Sequence, residues 1–296
     1  MATSSVPGIA YPRDLAGLAA DLAGIGVQPG YLPIVSQYDK ALIFAAPPRQ
    51  ANAVKDFSRN FNDLQYVGAI TDAEVYDTEA GAISVGISTS KALACHHEKM
   101  AWDLASGESL LVQARIKTVG ASTSSNVIFG NSDSTVEGFG LVLYGPTHAS
   151  LAGKLLFNFK GAGAGGQSLN ITPYTSTSSL VAADVLATDT YHNITIHVDG
   201  ATRKLNAWIN GNQGGNGMDA VLNGGSTLNT TRNFGFGYVP ADASWTSSTA
   251  KACRLQSFRF ATFPSGVPVV NPGLLDWKFN ANPRVIFNDA DYVGRP

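Results

Sequence analysis

The side chains best able to carry a reaction are three carboxylates, Glu74, Asp77 and Glu79, held within the single stretch EVYDTE. A retaining glycosidase needs a nucleophile and an acid/base carboxyl about 5 Å apart, which a strand provides by presenting both on one face. On a regular strand Asp77 and Glu79 share a face and Glu74 does not. The surrounding residues are turn formers, so the spacing predicts a solvated acidic loop and no catalytic residue. Histidine offers no better prospect. His96 and His97 are neighbours, and His192 and His197 lie at odd spacing. On a strand each pair points to opposite faces, and neither holds one metal ion.

Oxygen ligands are the remaining metal option. Asn131, Asp133 and Glu137 form one oxygen-rich loop, and Asp56, Asn60 and Asp63 another. Either could hold a structural calcium, but neither has a diagnostic spacing, and turn chemistry accounts for both. No other cofactor is expected. The run GAGAGG at 161–166 leads into QSLNITP rather than into a helix whose N-terminus could hold a phosphate, so it reads as a loop between strands. A G-x-S-x-G turn is missing, which leaves serine chemistry without its nucleophile elbow. Sugar binding is the chemistry the sequence serves best. Trp208 alternates with core-type Ala207 and Ile209 and is flanked by Asn206 and Asn210, an aromatic platform with amides for hydroxyls. Tyr238, Asp242 and Trp245 follow a later strand and could join it, while packing of Trp208 under a loop or on a neighbouring subunit is the competing use.

The element that positions Trp208 is the stretch 191–211, YHNITIHVDGATRKLNAWING. Ile194, Ile196 and Val198 alternate with polar residues, Asp199-Gly200 reverses the chain with positive backbone dihedrals, and Leu205, Ala207 and Ile209 alternate again. This is a β-hairpin over a core, and Asn210-Gly211 signals a further turn. Short strands at 41–45, 66–67, 82–85, 110–117, 126–129, 139–144, 154–159, 233–238 and 253–260 are separated by Gly, Asn, Ser and Asp, with no helical period between them. The expected fold is all-β, an antiparallel β-sandwich or jelly roll.

Both ends read differently. In residues 1–40 Asp14 caps a short helix with Leu15, Leu18, Leu22 and Ile25 at helical spacing. A helix that short needs a surface to lie on. Residues 266–296, with Pro268, Pro272, Pro283 and Pro296, are expected to be an extended arm, and Trp277, Phe279 and Phe287 to pack on a neighbour. The division is thus an N-terminal arm (1–40), a sandwich (41–265) and a C-terminal arm (266–296), with Leu15, Leu18, Leu22, Trp277, Phe279 and Phe287 as subunit contacts in a homo-oligomer.

Only 14% of the residues are charged and the formal net charge is −2, without a basic stripe, which argues against nucleic acid and anionic membrane as partners. No apolar run is long enough to span a membrane and no secretion signal is visible. Cys95 and Cys253 are too few for a disulfide scaffold and are expected to be reduced, partly buried thiols. The sequons at Asn170, Asn193 and Asn229 fall in a chain rich in Ser, Thr and Asn and are read as chance.

The order of these features resembles the concanavalin A-like lectin/glucanase superfamily in its laminin G-like branch. The matching pieces are VKDFSRNFNDLQYVG (54–68), SLLVQARIKT (109–118), GFGLVLYG (138–145), GKLLFNF (153–159), TYHNITIHVDG (190–200) with NAWING (206–211), FGFGYV (234–239) and ACRLQSFRFATFPSG (252–266). Arg59 and Phe61 stand where the family usually has Gly, and Tyr191 where Trp is common. The family's glucanases carry E-x-D-x-E or E-x-D-x-x-E, and E-x-x-D-x-E matches neither. Domains of this kind with arms at both ends resemble those on bacteriophage virion proteins. The resemblance implies a non-enzymatic virion protein, a head decoration or tail or fibre component made in the host cytoplasm. Its partners would be other virion proteins and, at the exposed surface, a host glycan. A carbohydrate-binding adhesion module is the alternative and a glycoside hydrolase the third reading.

Overall fold

The structure is a computed structural model, and it describes residues 35–46, 53–60, 62–85, 91–118, 126–132, 137–144, 153–172, 189–214, 221–223, 233–237 and 253–294. Among these the strands are β1 (Asp39–Phe44), β2 (Ala53–Val54), β3 (Leu64–Val67), β4 (Tyr76–Asp77), β5 (Ala82–Val85), β6 (Ala92–Cys95), β7 (Ser109–Thr118) and β8 (Asn126–Gly130). They continue with β9 (Gly138–Leu143), β10 (Leu155–Lys160), β11 (Gln167–Asn170), β12 (Tyr191–Val198), β13 (Leu205–Ile209), β14 (Asn212–Gln213), β15 (Phe234–Phe236) and β16 (Cys253–Phe263). The helices α1 (Asp72–Val75), α2 (Pro272–Ala281) and α3 (Asp289–Val293) are short.

All pairings are antiparallel, and the strands form two sheets. The first runs β14-β13-β12-β7-β16-β5-β4, with β1 also on β16, and the second runs β11-β10-β9-β8-β15-β6-β3-β2. The chain is therefore the all-β sandwich that its alternation implies. Inward positions of the first sheet, among them Val112, Ile116, Ile196 and Phe258, meet Phe129, Phe139, Phe157 and Phe234 of the second. Rings lock the layers across the gap, with Phe236 edge-on to Phe258 at 4.8 Å and Phe139 stacked on Phe260 at 5.9 Å. Both thiols are free and lie in this core, where burial pushes each up to about 12.

The hairpin of β12 and β13 is present, but its reversal differs from the tight Asp-Gly turn. Asp199 N–H donates to Lys204 C=O at 3.0 Å, and the positive φ falls on Arg203 at 58° rather than on Gly200. Gly200 is needed for closeness instead. A Cβ there would lie 2.2 Å from the Gly107 carbonyl oxygen. Asn210 and Gly211, with φ of 54° and 81°, do make the tight turn between β13 and β14.

The C-terminal segment is not an extended arm. Asn271 caps α2 by accepting from Leu274 N–H at 3.0 Å, with proline next in line. Pro272 thus sits where a helix has no use for its N–H. Asn288 and Asp291 make a capping box for α3, with bonds of 3.1 and 2.9 Å. The segment folds back over the outward face of the first sheet, where Val269, Leu275, Phe287 and Tyr292 close on Leu111, Ala261 and Phe263. Phe279 and Phe287, expected at subunit contacts, are buried inside their own chain at 2% and 0% exposure. Trp277 stays 66% exposed. Leu15, Leu18 and Leu22 lie outside the described residues. Residues 35–38 are tied to the same cover: Ser36 donates to Phe287 C=O and to Asp289, at 3.1 and 2.6 Å.

Candidate functional site

The three carboxylates of EVYDTE end up on three different elements. Glu74 lies on α1, where Oε2 accepts from Thr71 N–H at 2.9 Å and Oε1 pairs with Lys91 at 2.5 Å. The Lys91 ammonium, then the Thr71 amide, draw its carboxyl down to about 2. Asp77 on β4 accepts from Ala80 N–H at 3.0 Å and pairs with Arg254 at 2.5 Å, and these two partners lower its pKa. Glu79 is exposed on the turn that follows.

That turn forms one wall of a cavity of about 290 Å³ lined by Asp77, Glu79, Ala80, Lys117, Asp189 and Arg254. Its floor is the outward face of the first sheet, because Lys117 on β7 stands in register with Arg254 on β16 and with Tyr191 on β12. A second tier of bonds fixes the walls. Tyr191 Oη donates to Ala80 C=O at 2.9 Å, and the Arg115 guanidinium lies 4.8 Å from the Tyr191 ring centroid. Arg115 is itself held by Gln256 at 2.6 Å and Asn193 at 2.9 Å, and Asn193 reaches Asn280 of α2 at 2.9 Å. Lys117 and Asp189 form a looser ion pair at 3.7 Å, longer than a hydrogen bond, with side chains 29% and 70% exposed.

The predicted platform is only partly assembled. Trp208 points outward and half-buried on β13, paired with Thr195 and Gln213, and Asn206 Oδ1 accepts from Gln213 at 3.3 Å. Asn210 serves the backbone instead, accepting from Asn193 N–H at 2.9 Å and meeting His192 Nδ1 at 3.2 Å. Tyr238, Asp242 and Trp245 lie outside the described residues, in the segment that joins β15 to β16 and leads into Arg254. Lys117, Asp189 and Arg254 went unnoticed in the sequence, although alternation along 110–117 already turns Gln113, Arg115 and Lys117 outward.

The loop read as a calcium option spends its oxygens internally. Asp56 accepts from the N–H groups of Leu42, Ser58 and Asn62 at 2.7, 2.9 and 2.8 Å, and from the Ser58 hydroxyl. Asn60 donates to Asp39 C=O, and Asp63 accepts from Asp56 N–H. The motif is thus a self-sealed plug beneath β1. In the other loop Asn131 Oδ1 accepts from Phe139 N–H at 3.0 Å, and Asp133 lies outside the described residues. Among the described residues no three His, Cys, Asp or Glu side chains gather to hold a metal ion. The glycine run 161–166 connects β10 to β11 as a hairpin loop.

No protein-family model and no curated protein matches the chain. Among solved structures it is similar to Trypanosoma rangeli sialidase in complex with sialic acid, with a TM-score of 0.54 at 8% identity over 86% of this chain and 34% of that one. It is also similar to a botulinum neurotoxin type C structure, a toxin whose cell entry depends on interaction with two ganglioside molecules, with a TM-score of 0.51 at 12% identity over 83% of this chain and 52% of that one. The binding domain of botulinum neurotoxin serotype D gives 0.50 at 12% identity, covering 82% and 51%. The chain spans about a third to a half of these proteins, and the likeness is one of fold, a β-sandwich.

Proposed function

We propose that the chain is a non-enzymatic surface protein of a bacteriophage particle, a head decoration or a tail or fibre component, made in the host cytoplasm. Its lectin-like sandwich faces outward while α2 docks on a neighbouring copy. The observation that carries the non-catalytic part is the state of Glu74 and Asp77. A glycosidase acid must keep its proton near neutrality and so needs a raised pKa, whereas ion pairs and backbone amides move both of these carboxyls down. Release of reducing sugar from laminarin-type polymers by the purified chain would contradict this.

Docking is supported by the outermost helix and its entry. Val270, Leu274 and Trp277 are 60, 44 and 66% exposed on a segment whose other large apolar groups are mostly buried. Covering them against a second copy returns about 25 cal/mol per Å² of apolar area before ordering costs. Light scattering should find an oligomer that Trp277→Asp dissociates. A monomer at every concentration, indifferent to that change, counts against the docking role.

A second reading, carbohydrate binding for host adhesion, is favoured by the cavity beside Arg254, which offers donors and acceptors on a fold of lectin type. A glycan array on which the chain binds nothing removes it.

A further inference from the structure

We infer that the cavity bounded by Asp77, Glu79, Lys117, Asp189 and Arg254 is a saccharide site, and that its ligand is an uncharged, hydroxyl-rich sugar ring rather than an acidic sugar or a cation. This rests on the carbohydrate-binding reading and moves the site from the Trp208 platform, which pairs with Thr195 in the middle of β12, to the Tyr191 end of that strand. Three observations carry it.

Size comes first. About 290 Å³ admits one pyranose ring with its nearest waters, near the lower end of the range for small-molecule sites.

The second observation is the pattern of charge. Carboxylates at Asp77, Glu79 and Asp189 alternate with cations at Lys117 and Arg254, so the lining carries three negative and two positive groups. An acidic sugar would meet the excess of carboxylates, and a cation would have to compete with Lys117 and Arg254 for Asp189 and Asp77, with which they already pair. A hydroxyl group donates and accepts at once, so a neutral polyol can bond to both kinds of neighbour without an uncompensated charge. The 3.7 Å gap between Lys117 and Asp189 is suited to this use. An ammonium and a carboxylate too far apart for a hydrogen bond, at 29% and 70% side-chain exposure, can be bridged by vicinal hydroxyls.

The third is rigidity. One wall is braced: Tyr191 donates to Ala80 C=O, and Asp77 accepts from Ala80 N–H and pairs with Arg254. A braced wall lowers the ordering cost of binding.

The test is titration of the full chain with neutral saccharides (lactose, maltotriose, laminaritriose) and with sialyllactose, read by calorimetry or saturation-transfer NMR. The chosen variants, Lys117→Met and Asp189→Asn, leave the Asp77–Arg254 pair in place, and their melting temperatures serve as the folding control. At least one neutral saccharide should bind, each variant should weaken it about tenfold, as the loss of one charge-assisted bond implies, and Trp208→Ala should change nothing. Binding that survives both variants and is lost in Trp208→Ala overturns this site while leaving carbohydrate binding intact. Preference for sialyllactose overturns the ligand class. Failure of the wild-type chain to bind any of the sugars overturns the inference together with the reading it rests on.

Discussion

Two ion pairs lie on the outward face of the first sheet, each made by an arginine of β16, and they differ in what covers them. Arg254 meets Asp77 at 2.5 Å with side chains 19% and 22% exposed, beside an open cavity. Arg259 approaches Asp39 at 3.4 Å with side chains 3% and 0% exposed, beneath the C-terminal helices. The covered arginine has several further partners. It donates to Gln113 at 2.8 Å and to Val285 C=O at 2.5 Å, and its guanidinium lies 4.1 Å from the Phe287 ring centroid. Tyr292 Oη donates to Asp39 at 2.6 Å. Buried polar atoms without a hydrogen-bond partner occur at both pairs, Arg254 Nη1 at the first and Asp39 Oδ2 and Arg259 Nε at the second. One strand thus places the same side chain in a sealed ion pair at one point and beside an open cavity at another.

The largest expected effect separates the two arginines. Arg259→Ala leaves a carboxylate buried and alone, and should cost about 3–5 kcal/mol in urea unfolding. Asp77→Ala, at the more exposed pair, should cost about 1 kcal/mol or less. Equal losses would break the comparison. Replacing Asp39 by Asn and Arg259 by Met together should cost less than Arg259→Ala, because no charge is stranded.

The apolar side of the cover gives the next contrast. Phe287→Ala removes a ring at 0% exposure and should destabilise by about 3–5 kcal/mol. Trp277→Ala, on the same segment, should stay within about 0.5 kcal/mol in the monomer and act only on self-association.

A smaller effect appears in pH dependence, where two covered groups oppose each other. Burial lowers His197 to about 4, against a weaker upward pull from Asp199. Its contribution is therefore complete above about 6.5 and is lost as pH falls toward 4. Burial raises Asp39 from 3.8 to about 6 despite Arg259. The stability it contributes is therefore present at low pH and lost as pH rises through 6. Between pH 6.5 and 4.5 these two contributions nearly cancel, so His197→Gln should gain about 1–2 kcal/mol on acidification relative to the wild type. A parallel pair of curves, measured by urea titration at each pH, would mean that the cover does not desolvate His197.

Particular residues show how far the sequence could be read. Ile194, Ile196 and Val198 announced an inward face of β12, and Leu205, Ala207 and Ile209 that of β13, because side-chain alternation is a property of one strand. The helix signals at the C-terminus were equally local: Asn271 before Pro272, Leu275 and Phe279 four apart, and Asn288 with Asp291. Pro272 and Pro283 read as breakers by count alone, yet one opens α2 and the other follows its cap at Asn282. The cavity was a harder problem. Lys117, Tyr191 and Arg254 are each visibly outward-facing, but they meet only because β7 pairs with both β12 and β16, strands far apart in the chain.

The sequence by itself determined the layered all-β fold and the inward faces of its strands, since each follows from spacing over a few residues. Only the tertiary structure decided which part of the polar face is sealed, where Phe279 and Phe287 are buried, and which charged groups share an open cavity. Those outcomes depend on contacts between distant segments, whose desolvation and pairing are fixed by neighbours that no local pattern names.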